Sequence, residues 1–173
     1  INCAGLQHVA PVCKFSDKIW EYIININLNT PFKMIKEVLP IMRKNNWGRI
    51  INISSVHGAV GSHFKAGYVS SKHGLVGLTK VVALETAKEN ITCNAIGPGF
   101  VDTELVRKQI KNISKKKGLS LKKTSDNLLR EKHPSMNFVK KDDVSSLAYY
   151  LTTHEASQIT GSNLIIDGGW TAQ

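Results

Sequence analysis

Gly48-Arg49-Ile50-Ile51-Asn52-Ile53-Ser54-Ser55 is a short, mostly apolar run that closes on two serines. Thirteen residues after Ser55 begins Tyr68-Val69-Ser70-Ser71-Lys72. An apolar run of this length bounded by turn residues reads as a buried strand of the parallel-sheet kind. Gly58 to Phe64 reads as a loop, and Ala66 to Lys88 as a long helix with Leu75, Leu78, Val82 and Leu84 as its packing face. Strand, loop and helix in that order make the repeating unit of an α/β sheet.

The helix brings chemistry with it. Residues four apart share a helix face, so the Tyr68 phenol and the Lys72 ammonium point into one site. A free tyrosine loses its proton near pH 10. A neighbouring cation favours the phenolate, and moving that pKa to about 7 takes roughly 4 kcal/mol. The expected product is a general acid/base for an alcohol near neutral pH, with the Ser55 hydroxyl beside it to bind the same oxygen.

Outward from this stretch, the alternation continues. Asn2 to Gly5 reads as the end of a strand. Ser16-Asp17 is a helix N-cap signal ahead of Ile19-Trp20 and Ile23-Ile24. A helix from near Pro31 to Lys44 carries the stripe Phe32, Ile35, Val38, Leu39 and Met42, and Asn45-Asn46-Trp47-Gly48 stops it. Ile91 to Ile96 is the next strand, ended by Gly97-Pro98-Gly99. Glu104 to Arg130 is helix-prone, rich in lysine and poor in core residues. Asp142 to Leu151 is amphipathic, and Leu164 to Ile166 is the last strand. The fold class is therefore α/β with a parallel sheet.

Of the 173 residues, 42% are hydrophobic and 21% charged, which is ordinary for one globular domain or part of one. No run approaches the roughly 18 apolar residues that span a bilayer, so no membrane partner is expected. Cys3, Cys13 and Cys93 are odd in number and lack C-x-x-C spacing, which suits reduced thiols in the cytoplasm better than disulfides or a zinc site. The histidines show no H-E-x-x-H pattern, and no metal is expected. The net charge of +10 is concentrated: Lys115, Lys116, Lys117, Lys122 and Lys123 crowd one segment. No aromatic residue interleaves with them, which argues for a solvated surface and against nucleic acid.

Asn2-Cys3-Ala4-Gly5, Asn27, the run ending at Ser55, Tyr68 with Lys72, Pro98-Gly99-Phe100-Val101-Asp102-Thr103 and Asp167-Gly168-Gly169 stand in an order that resembles the short-chain dehydrogenase/reductase family. The resemblance covers essentially the whole chain. It implies the C-terminal part of a doubly wound, Rossmann-type domain. Such a domain opens with a strand, a Gly-rich turn and a helix that takes a pyrophosphate. That fingerprint is not found in the sequence, so the N-terminal nucleotide-binding half is expected to be missing and the fragment inactive as given.

By the same resemblance, Asn27, Ser55, Tyr68 and Lys72 form a catalytic tetrad. Tyr68 moves the proton, Ser55 holds the oxygen, Lys72 lowers the tyrosine pKa and holds the nicotinamide ribose, and Asn27 helps hold a relay water. Asn2, Gly5, Tyr68, Lys72, Pro98, Gly99, Val101 and Thr103 contact the cofactor, expected to be NAD from the resemblance alone. Cys3 stands where a second Asn is common in the family.

Gln7, His57, Lys65, Gln109 and the terminal Gly169-Trp170-Thr171-Ala172-Gln173 are similar to the family members that act on D-3-hydroxybutyrate. Gln7, Ser55, His57, Lys65, Tyr68 and Gln109 would then bind a small 3-hydroxy acid, with acetoacetate as its partner. Phe100 departs from that pattern, which usually has Trp. A substrate lid at 104–134 and a homotetramer are implied as well. Two alternatives stay open: another short-chain reductase, of the 3-oxoacyl type, or a non-catalytic truncated remnant.

Overall fold

Three parallel strands carry the molecule: β1 (Gly48–Ile53), β2 (Ile91–Pro98) and β3 (Asn163–Ile166), in the order β1-β2-β3. The computed structural model describes residues 1–172, the side chain of Leu105 excepted. The register sets Ile50 against Cys93 and Ile96 against Leu164. Asn2 makes a parallel bridge to Asn52 on the free side of β1, so the chain start lies along that edge like the tip of a further strand. The sheet is as the sequence implies, α/β and parallel.

Side chains alternate across a strand, and the two faces have separate cores. On one face Ile50, Ile91 and Cys93 pack with Ile35 and Leu39 of α2 (Thr30–Lys44) and Val82 and Ala83 of α3 (Ala66–Glu85). On the other, Ile51 and Ile96 pack with Ala148 of α6 (Lys141–Tyr150), Leu151 and Ala156. Two sequence expectations fail here. Phe32 and Leu84 were placed on packing faces, yet they are 51% and 78% exposed. Both lie on the helix sides turned from the sheet, where the apolar pattern continues into solvent.

α1 (Asp17–Ile24) runs into a π-helical turn, Asn25–Asn29, before α2 begins. Ser16 stands at the N-cap position but makes no side-chain capping bond. The lysine-rich stretch is two helices, not one: α4 (Glu104–Lys117) and α5 (Leu121–Lys132). Gly118 breaks them with φ 62, a left-handed turn that glycine takes without steric cost, and the Ser120 hydroxyl caps α5 by accepting from Lys123 N. Ile110 and Leu129 are buried and anchor this pair to the body.

Candidate active site

Ligand sites of open parallel sheets lie beyond the carboxyl ends of the strands, and here each strand delivers a wall. β1 ends into Ser54 and Ser55, β2 into Gly99, Phe100, Val101 and Thr103, and β3 into the turn that carries Trp170. Together with Gly5, Gln7, Lys65, Tyr68, Lys72 and Gln109 they enclose a cavity of about 220 Å³. Every expected catalytic and substrate residue except Asn27 lines it.

The Tyr68 phenol and the Ser55 hydroxyl line the same cavity. The Ser55 hydroxyl accepts from His57 N at 3.2 Å, which fixes its orientation at the head of a one-turn 3₁₀ segment. Lys72 is buried, and its ammonium donates to Ile53 O at 2.7 Å. Burial brings its pKa down to about 8, while Cys3 pulls the other way. The ammonium lies 5.6 Å from the centroid of the Tyr68 ring.

The expected effect of Lys72 on Tyr68 is not what this geometry gives. Desolvation raises the Tyr68 pKa above the ordinary phenol value, and the Ser55 hydroxyl offsets only part of that. Low polarity disfavours the phenolate more than a lysine turned toward a backbone carbonyl favours it. Tyr68 is therefore held protonated, as a proton donor.

Asn27 is fully buried in the π-helical turn and spends its side chain on structure. Its Oδ1 accepts from Leu6 N at 3.0 Å, and its Nδ2 donates to Leu6 O and to Ser71 Oγ, both at 3.0 Å. It thereby pins the strand exit carrying Gly5 and Gln7 to the helix carrying Tyr68. Asn2 likewise turns away from the cavity, donating to Asn52 Oδ1 at 2.8 Å. Asn52 passes the bond on to Thr79 Oγ1 at 2.9 Å, so this chain supports the sheet edge.

The acid-binding candidates do converge. His57 is 3% exposed, and its Nδ1 is buried without a hydrogen-bond partner. Desolvation, then the charge of Lys65, lower its pKa to about 4, so the ring is neutral at physiological pH. Lys65 is 9% exposed, and its pKa is lowered by burial and by the charge of Lys132. Among the described residues no carboxylate pairs with Lys65. Gln7 Nε2 donates to Gln109 Oε1 at 3.3 Å, which ties α4 to the strand exit.

Trp170, noted in the sequence only as part of the terminal segment similar to the hydroxybutyrate-acting members, walls the cavity. It meets His57 edge-on at 5.3 Å and Phe100 at 5.0 Å. Its place depends on Asp167, whose carboxylate accepts from Gly169 N, Thr171 N and Thr171 Oγ1. His133, also missed, is fully buried: Nε2 accepts from Phe100 N at 2.9 Å and the Nδ1 proton goes to Asn137 O at 3.0 Å. Nothing local in the sequence announces either residue, because each acts across the closed tertiary fold. Gln173 lies outside the described residues.

The residues expected to meet a nicotinamide all line this cavity except Asn2. Pro98, Gly99 and Val101 give a flat apolar surface, and Lys72 supplies a buried donor. Thr103 caps α4: its hydroxyl accepts from Val106 N at 3.4 Å, leaving its own proton to donate to an amide carbonyl. A side chain at Gly99 would collide with His133 at 2.5 Å, so that backbone is kept bare and close to the site.

The family profile described as enoyl-(acyl carrier protein) reductase matches residues 1–171. The chain is 46% identical, over its full 173 residues, to the D-beta-hydroxybutyrate dehydrogenase of Cupriavidus necator. It is 44% identical, over the same span, to the protein of that name from Rhizobium meliloti. The chain belongs to the short-chain dehydrogenase/reductase family. It spans 67% of the length of each of these two relatives. A solved 4-hydroxyisoleucine dehydrogenase complexed with NADH and succinate superposes with a TM-score of 0.82 at 36% identity, covering 99% of this chain and 67% of that one. An actinorhodin polyketide ketoreductase with NADPH superposes at 0.93 and 31% identity, covering 99% of this chain and 66% of that one. The family is one of oxidoreductases on a Rossmann-type sheet, and the two solved relatives just described hold NADH and NADPH. No helix among the described residues is long and apolar enough to cross a membrane.

Proposed function

We propose that the full-length gene product interconverts D-3-hydroxybutyrate and acetoacetate with NAD. The observation that carries this reading is Lys65: a buried ammonium on the cavity wall with no carboxylate partner among the described residues. A charge left in that state calls for an anion from the ligand. His57, Gln7 and Gln109 line the same space, and a cavity of about 220 Å³ suits a four-carbon acid. Trp170 and Phe100 offer an apolar seat for its methyl end. A 3-oxoacyl reductase acting on a neutral thioester has no use for a desolvated lysine there.

Bound against Pro98 to Thr103, the nicotinamide supplies the acceptor or donor of the hydride. The residues of this chain handle the proton. In reduction, Tyr68 gives its phenolic proton to the ketone oxygen while Ser55 donates a hydrogen bond to it. In oxidation the Tyr68 phenolate, stabilised by Lys72 while that side chain is charged below its pKa of about 8, takes the hydroxyl proton and becomes the neutral phenol. Helices α4 and α5, tethered by few core residues, serve as the lid over 104–134, with Gln109 joining lid to acid. We read the protein as cytoplasmic and the assembly as a homotetramer.

The test is Lys65→Ala in the full-length gene product. A charge-assisted hydrogen bond contributes about 1.5–3 kcal/mol, so KM for 3-hydroxybutyrate should rise roughly 10–100-fold. KM for an uncharged secondary alcohol should stay nearly constant. Equal losses on both substrates would remove Lys65 as the reader of the carboxylate.

A further inference from the structure

Beyond the reaction cavity lies a second, larger one of about 440 Å³. Its volume falls in the roughly 300–1,000 Å³ range of small-molecule sites. One wall is an exposed side of α4, where Lys108, Asn112 and Lys116 repeat every fourth residue and so stand in one row. The facing wall is the strand exit at Gln7 to Val9. Gln7, Lys65 and Gln109 line both cavities, and the 3.3 Å bond between the two glutamines stands at their boundary.

The chemistry of this groove is one-sided. Three lysines line it, with amide groups between them and no carboxylate in its wall. Lys65 belongs to the buried set, while Lys108 and Lys116 are exposed and free to close on a ligand. Only two residues of the lining, Val9 and Ile113, are purely apolar. That composition suits a compact ligand carrying several negative charges, and it suits an acyl chain or an aromatic ring poorly. A single carboxylate gains most in the inner cavity, where His57 and Trp170 complete its surroundings. A polyanion gains more outside, where it meets three ammonium groups instead of one.

We propose that this groove is a binding site for a small polyanion, a di- or tricarboxylate or a phosphate ester, which competes with the substrate acid for Lys65. The proposal rests on the reading of Lys65 as the carboxylate ligand. An anion in the groove draws the Lys65 ammonium and the two glutamine amides outward. The reaction cavity then loses its charged partner while Tyr68, Ser55 and Lys72 stay in place. The outcome is competitive inhibition with respect to the hydroxy acid and none of that pattern with respect to the cofactor.

The experiment uses the full-length gene product with citrate as the tricarboxylate probe, glycerol 3-phosphate as the phosphate probe and acetate as the monoanion control, all at matched ionic strength. Citrate should raise KM for 3-hydroxybutyrate without lowering kcat, and acetate at equal concentration should do so at least tenfold less. The double variant K108Q/K116Q should weaken citrate inhibition at least tenfold while leaving kcat within twofold. Comparing citrate with glycerol 3-phosphate tells which anion chemistry the groove prefers. Equal inhibition of variant and parent, or a fall in kcat with KM constant, would overturn the site. Calorimetric titration with citrate separates the two readings. If 3-hydroxybutyrate proves not to be a substrate, citrate binding that weakens in K108Q/K116Q still upholds the groove; heat that is absent, or unchanged by the variant, refutes it.

Discussion

Tyr68 owes its behaviour to solvent exclusion more than to its lysine. Burial holds the phenol in its protonated form, the form that can donate to a ketone oxygen. Oxidation needs the phenolate and should accelerate as pH rises. Tyr68→Phe should lower turnover by about 10²–10⁴-fold in both directions, since a positioned general acid/base contributes that much. Cofactor affinity, read by NADH fluorescence, should change little; retention of most of the turnover would remove Tyr68 from the reaction.

His57 gives a second prediction at the same scale. Its pKa falls from 6.5 to about 4 in the folded protein. Between those values the unfolded chain binds a proton that the folded one refuses, so stability is complete above pH 6.5 and is lost as pH falls toward 4. The loss is on the order of 3 kcal/mol. Urea unfolding across that window should show this slope, and His57→Gln should flatten it. An unchanged slope in the variant would place the acid sensitivity elsewhere.

At the scale of elements, the π-helical turn Asn25–Asn29 is where local structure serves the site. Asn27→Ala leaves the Leu6 N–H and C=O without their side-chain partner and frees Ser71. Buried polar groups left unmet cost about 1–3 kcal/mol each, so the variant should lose roughly 3 kcal/mol in chemical denaturation. It should also lose turnover, because Gly5 and Gln7 are no longer pinned to the helix of Tyr68. A variant of parental stability would show that other contacts hold the strand exit.

The contrast with the sequence is instructive here. Strands β1 and β2 were legible because their apolar runs end at glycine, proline or serine. That Ser55, Tyr68 and Lys72 share one cavity was legible because Tyr68 and Lys72 sit one turn apart and Ser55 closes a strand, while Asn27 was singled out by the family resemblance alone. The role of Asn27 was not, since its partners lie 21 and 44 residues away. The break at Gly118 was missed because the lysines on either side have the same helical propensity and mask the Gly118 stop and the Ser120 cap between α4 and α5. Trp170 was missed because it reaches the cavity only after β3 takes its place beside β2.

For the whole molecule, the exposed apolar residues are the open question. Phe32, Met34 and Ile41 on α2 and Val81 and Leu84 on α3 are each more than half exposed, on two helices packed against the same face of the sheet. Patches of this kind mark association surfaces. With the homotetramer expected from the family resemblance, these two helices should pair between subunits. Light scattering of the full-length gene product should give four copies, and Ile41→Glu with Leu84→Glu should lower that number. A monomeric parent protein would refute the assembly.

One further consequence concerns inheritance. Lys65 immediately precedes α3, and Tyr68 and Lys72 lie on its first two turns. The proposed reader of charge and the proposed movers of the proton are thus geared to a single rigid rod. A lineage adapting to a new substrate cannot shift that rod without detuning the chemistry. Diversification is pushed onto α4, where a change at Gln109, Lys108 or Lys116 alters what is admitted and leaves the engine untouched.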